Sequence, residues 1–194
     1  MIQTKQELKE LVQYERHQYG LPSGIKGVIL YLGGNEKATI WHYQKRLRCT
    51  EYHHNAKHRV RYLWSTVLLN RLGLRYGMNI GLNTCGKGLK IMHVGPILIN
   101  GDASLGENCA LHINTALVAK GTTNAAPILE SGVVVGIGAV VVGGVRVAKN
   151  VAIGANAVVT RDIDEEDIAV AGIPAHKVSA NGRTCWGNRK KLSE

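Results

Sequence analysis

The sequence predicts a mainly β fold, a left-handed parallel β-helix built from six-residue repeats and preceded by an α-helical N-terminal region. The first observation is periodic. Every sixth residue from Ile99 gives Ile99, Leu105, Leu111, Leu117, Thr123, Leu129, Val135, Val141, Val147, Ile153 and Val159, and all but Thr123 are aliphatic. A second series follows four places behind for most of the run: Ala103, Cys109, Thr115, Val133, Ala139, Val145, Val151, Ala157 and Ile163. The other observation is compositional: the chain has 23 Gly and no Phe, which suits recurring tight turns better than an ordinary layered core.

A period of six is neither the 3.6 of a helix nor the 2 of a half-buried strand. It fits a short strand and a turn repeated along a solenoid, with three units per coil. Aliphatic residues would then stack inside a triangular prism at about the 4.8 Å strand spacing. Gly106, Gly136 and Gly154, each just after an aliphatic position, are expected to let the backbone take the corner. Left-handed crossovers depart from the usual rule for parallel strands. The lapse at Thr123 marks residues 119–127, AKGTTNAAP, as a loop extruded from the prism, a common place for function.

Residues 1–78 read as helical. Thr4 can cap a helix carrying Leu8, Leu11 and Val12, which Gly20-Leu21-Pro22 ends. A second helix starts at Asn35, with Ile40, Trp41, Tyr43, Leu47 and Tyr52 as apolar positions, and runs into His53-His54-Asn55. A third carries Val60, Leu63, Trp64, Val67, Leu68 and Leu72 and closes near Gly73 or Gly77. The β-helix is expected over 79–178 and a basic tail over 179–194.

Charge is uneven. Residues 1–80 hold 13 Lys/Arg against 5 Asp/Glu, whereas residues 81–178 hold 7 against 8. A basic N-terminal half suits phosphorylated or acidic substrates and peripheral contact with a membrane-linked one. No nucleic-acid motif accompanies it, so nucleic acid is not an expected partner. The glycines and charges within 133–159 argue against a membrane span there. Cys49, Cys85, Cys109 and Cys185 form no CxxC pair and follow no signal peptide; they read as reduced thiols of a cytoplasmic protein. His53, His54 and His58 lack a carboxylate or Cys at ligand spacing, so no metal is expected. "VGIGAVVVGG" lacks dinucleotide-binding spacing, and its glycines read as turns.

The stretches "GLKIMHVGPILINGDASLGENCALH", "VVVGIGAVVVGGVRVAKNVAIGANAVVTRDI" and "VAGIPAHKV" resemble the hexapeptide-repeat acyltransferases, specifically their serine O-acetyltransferase branch. "IWHYQKRLRCTEYHHN" is similar to the N-terminal helices of members that acetylate capsular and exopolysaccharides. The resemblance implies acetyl transfer from acetyl-CoA to a hydroxyl, without a metal, by a homotrimer with active sites between adjacent prisms. It also assigns roles. His93 aligns with the catalytic His and is the expected general base, and it stands six residues before Ile99, where the period asks for an aliphatic residue. His112, nineteen residues on, would face the same cleft from the next coil, as a second catalytic group or a turn residue. Ala155, Thr160, Arg161, His176 and Lys177 align with positions that hold CoA, the last four at its nucleotide end.

Four positions depart from the serine branch. Asn79 stands where a carboxylate supports the catalytic His, Met92 where an Asp precedes it, and Ala125-Ala126 before Pro127 where an Arg-His pair engages the amino acid's carboxylate. Asn79 can still orient an imidazole by a hydrogen bond, but Met92 and the alanines can hold neither ammonium nor carboxylate. The expected acceptor is therefore a sugar hydroxyl in polysaccharide biosynthesis, met by Met92 and by Asn124 of the loop. Serine, or a non-catalytic β-helix scaffold, are the alternatives.

Overall fold

The computed structural model describes residues 1–185, with nothing of the Cys185 side chain, so residues 186–194 of the basic tail lie outside the described residues. Four helices come first: α1 (Lys5–Gln18), α2 (Ile25–Leu32), α3 (Glu36–Asn55) and α4 (Arg59–Tyr76). Thr4 and Glu7 close a reciprocal capping box on α1. Asn35 caps α3 by accepting from the Ala38 N–H, and Gly77 ends α4 in the left-handed conformation at φ 73°.

Two helical expectations change. The stretch between Gly20-Leu21-Pro22 and Asn35, for which no element was expected, contains α2, whose eight residues make only about two turns, too few for a helical period to stand out. In α4 the apolar stripe points outward: Val60, Leu63, Trp64 and Val67 are exposed, while Ser65, Leu69 and Gly73 face α3 and the prism. The small residues win the buried side because α4 packs close. A Cβ on Gly73 would come within 2.5 Å of the Met78 carbonyl oxygen.

Beyond α4 the chain winds through three parallel sheets. The strands β1 (Met78–Ile80), β3 (Ile97–Ile99), β6 (Thr115–Val118), β9 (Val140–Val142) and β12 (Val158–Val159) form one side. A second side holds β4 (Ser104–Leu105), β7 (Ile128–Leu129) and β10 (Arg146–Val147). The third holds β2 (Lys90–Ile91), β5 (Ala110–Leu111), β8 (Val134–Val135), β11 (Ala152–Ile153), β13 (Ala169–Ala171) and an antiparallel closing strand β14 (His176–Ser179). In the later coils Ile128 pairs with Arg146 and Val134 with Ala152, a rise of eighteen residues per coil. Two earlier steps are longer: Lys90 pairs with Ala110, twenty residues on, and Ser104 pairs with Ile128 and Ala110 with Val134, twenty-four residues on. The extra six residues fall in the loop after β6, and an insertion equal to one repeat leaves the aliphatic series in phase on either side of Thr123.

Both series point inward. Leu111, Leu117, Val135, Val141 and Val147 are sealed from water, as are Cys109, Val133, Ala139, Val151 and Ala157. The turning is done by other residues than expected. Asn108, Asn114, Asn150 and Asn156 hold φ of 56–59°, each just before an inward residue of the second series. Gly106 and Gly136 lie outside the left-handed region and are needed for close stacking: a Cβ on them would meet Ser131 N at 2.5 Å and Ile153 O at 2.6 Å.

The helical region covers the open end of the first coil. Tyr19 accepts from the Ile91 N–H at 2.9 Å and donates to Gln44, whose amide donates to the Leu89 carbonyl at 2.8 Å. These bonds satisfy backbone groups of β2, the terminal strand of its sheet. Arg48 is buried beside Glu15 at 2.7 Å and Glu51 at 3.0 Å, and donates to the carbonyls of Cys85 at 2.8 Å and Gly86 at 2.7 Å. One guanidinium thus joins α1, α3 and the coil through paired charge, the condition under which burial of ions is tolerated.

Candidate active site

The two histidines expected to face one cleft lie near each other on adjacent coils. Ile91 and Leu111 pair in register on adjacent coils, so Met92 and His112 are equivalent positions and His93 is one step further round. The imidazole centroids are 6.2 Å apart with the ring planes inclined at 44°. Burial first, and then the neighbouring His93, holds His112 below the usual imidazole value. His112 is therefore neutral near neutral pH and has one N–H to donate.

His93 is not at an inward position as its distance from Ile99 implied. The inward residue is Ile91, and the corner from β2 to β3 is longer than one repeat, which lifts His93 to the outer surface with its side chain 55 % exposed. The corner is fixed from below and from the side. Gly95 sits over Ile113 so closely that a Cβ would be 2.9 Å from its Cγ2. Glu36, the first residue of α3, accepts from the Val94 N–H at 3.1 Å and places its carboxylate 3.4 Å from His93 Nδ1.

Sequence reasoning missed Glu36 because fifty-seven residues separate it from His93. The one available signal was its place beside Asn35, the expected start of a helix. Asn79 lies on the exposed side of β1, paired in register with Leu98, and among the described residues no hydrogen bond joins it to His93. The group beside the His93 ring is thus the Glu36 carboxylate and not Asn79.

The other expected site residues are dispersed. Met92 is half-buried beside the histidines, and its N–H donates to the Leu111 carbonyl at 2.9 Å. Asn124 is exposed in the extruded loop, whereas Ala126 is buried and Ala125 packs against Gly144. Ala155 follows β11, and Thr160 and Arg161 follow β12; all three are exposed. In β14, His176 is exposed, and Lys177 pairs with Glu165 at 2.5 Å. Because Glu165 pairs with Lys177, the positive charge expected there for phosphates is partly neutralised by the chain itself. From β2 to β13 the third sheet spans four strand spacings, roughly 19 Å. The histidines, after β2 and β5, and Ala155, His176 and Lys177 thus belong to opposite ends of this sheet, whereas Thr160 and Arg161 follow β12 of the first side.

Among the described residues there is no cluster of three or more His, Cys, Asp or Glu placed to hold a metal, and no helix is long and apolar enough to cross a membrane. His53 and His58 instead approach each other at 3.4 Å beside the Tyr52 ring.

No protein-family model matches the chain. A serine acetyltransferase of Synechococcus elongatus is 35 % identical over 99 residues, which are 50 % of this chain and 40 % of that protein. Another, of Buchnera aphidicola, is 26 % identical over 144 residues, covering 68 % of this chain and 52 % of that one. The chain thus spans about half the length, or less, of the curated relatives it matches. Among solved structures, a serine acetyltransferase of Brucella abortus in complex with coenzyme A has a TM-score of 0.73 at 21 % identity, covering 92 % of this chain and 70 % of that one. A serine acetyltransferase complex with CoA has a TM-score of 0.61 at 25 % identity, covering 72 % and 57 %. The chain therefore shares with these enzymes a fold of parallel sheets behind an N-terminal helical region.

Proposed function

We propose that this chain is an acetyl-CoA-dependent O-acetyltransferase of the hexapeptide-repeat class, with His93 as general base. The observation that carries the reading is the meeting of His93 and His112 on adjacent coils, with ring centroids 6.2 Å apart and the His93 side chain 55 % exposed. The solved relatives described as CoA complexes support the donor. In the reaction the acceptor hydroxyl attacks the thioester carbonyl as His93 Nε2 takes its proton. The C–S bond then breaks, the O-acetyl ester forms, and the proton passes to the departing sulfur as CoA thiol. His112 donates its N–H to the acceptor or to the tetrahedral oxyanion. Ala155, Thr160, Arg161, His176 and Lys177 line the run along the coils taken by CoA. The coils wind left-handed, and three chains enclose three sites between their prisms, as the family resemblance implies.

The relatives' names favour serine as acceptor over the sugar expected from sequence. A second reading, a neutral sugar hydroxyl in polysaccharide biosynthesis, is favoured by Ala126, which is buried, and by Met92, neither of which can hold a zwitterion's charges. Purified protein, acetyl-CoA and an acceptor series of serine, monosaccharides and oligosaccharides, followed by thiol release, tests both. Serine turnover at low KM supports the first, sugar turnover the second. Absence of both turnover and CoA binding returns the chain to a scaffold.

A further inference from the structure

We infer that Glu36 is the positioning residue for His93, supplying from the N-terminus of α3 the carboxylate that β1 lacks. The inference rests on the reading of His93 as base.

Transfer needs the His93 lone pair on Nε2, since Nδ1 is the nitrogen beside Glu36, and hence the ring proton on Nδ1. A neutral imidazole divides its proton between the two nitrogens, and an anionic acceptor beside one of them fixes the tautomer. Both Glu36 oxygens come to 3.4 Å from Nδ1. As the hydroxyl proton arrives on Nε2 the ring becomes imidazolium, and the same carboxylate stabilises the new charge without taking the Nδ1 proton. Asn79 can offer neither service, being uncharged and not bonded to the ring.

Three features hold Glu36 in place. Its Oε1 accepts from the Val94 N–H at 3.1 Å, so the carboxylate bridges backbone and ring of a single corner. It opens a helix whose cap is made by Asn35, where the helix dipole favours an anion. That helix is anchored by Tyr43, Leu47 and Arg48, all buried. No other carboxylate contacts His93 among the described residues.

The test uses the full chain with His93 ring nitrogens observed by 15N NMR, beside steady-state kinetics of Glu36→Ala and Glu36→Asp. In the wild type the neutral ring carries its proton on Nδ1, and in Glu36→Ala the proton redistributes toward Nε2. Glu36→Ala lowers kcat by roughly 10-fold to 10²-fold with the acetyl-CoA KM unchanged, less than loss of the base itself, and Glu36→Asp recovers part of it. An unchanged tautomer in Glu36→Ala overturns the inference. So does an unchanged kcat with a raised acceptor KM, which makes Glu36 a binding group instead. The tautomer readout needs no turnover, so it separates failure of this contact from failure of the proposed reaction, which His93→Ala reports.

Discussion

Ile91 lies directly beneath Leu111 in the six-stranded sheet, and this stacking sets the site. His112 follows Leu111 by one residue and His93 follows Ile91 by two, so two imidazoles from different coils emerge on one face. A buried aliphatic pair that satisfies the core thus determines which polar groups meet outside it. The site depends on coil register, and register depends on the inward series.

That series gives the first prediction. Val147 is fully buried and pairs with Leu129 on one side and Ile163 on the other. Val147→Asp places an unpaired charge in the prism, and the expected loss is several kcal/mol. Urea unfolding reads it; an unchanged midpoint contradicts the inward placement.

The buried Arg48 predicts a contrast between two ion pairs. Glu15→Ala leaves a buried guanidinium short of a partner and should cost about 3–5 kcal/mol. Lys177→Ala removes a half-exposed pair with Glu165 and should cost less than about 1 kcal/mol. Equal effects in denaturant unfolding would show that Arg48 does not tie the helices to the coil.

His112 predicts a pH effect on stability. Burial and His93 lower its value when folded, so the unfolded chain takes up the proton first as pH falls. Its contribution is present above the ordinary 6.5 and is lost as pH falls from there through the lowered value of the folded state. The fall in Tm between about pH 7.5 and 5.5 should therefore be smaller in His112→Gln than in the wild type. An equal or larger fall in the variant contradicts the depressed state.

Two thiols should resist alkylation. Burial pushes Cys85 up to about 12 and Cys109 up to about 11, so neither is a thiolate at pH 8. Iodoacetamide labelling of the folded chain, mapped by mass spectrometry, should leave both unmodified while the unfolded chain reacts at each.

The prism was legible because burial in stacked coils repeats, so Ile99 through Val159 carry a six-residue signal that survives even the insertion at 119–127. Gly106 and Gly136 were visible as repeats, yet their cause lies in the neighbouring coil and is invisible along the chain. Local caps at Thr4 and Asn35 were readable for the same reason in reverse, since each bonds within its own first turn. Contacts over long separations were not. Glu36 to His93 and Arg48 to Glu15 need the folded arrangement of helices on the coil, and α2, with eight residues, makes only about two turns. The spacing of nineteen residues correctly brought His93 and His112 together, although the corner that carries His93 is wider than the repeat.

The most direct test of His93 as the base for acetyl transfer is thiol release from acetyl-CoA by wild type and by His93→Ala, each with the best acceptor in the series. Wild type should show acceptor-dependent release, and His93→Ala should lower kcat by about 10²–10⁴ with a much smaller change in acetyl-CoA affinity. Undiminished turnover in His93→Ala would contradict the mechanism.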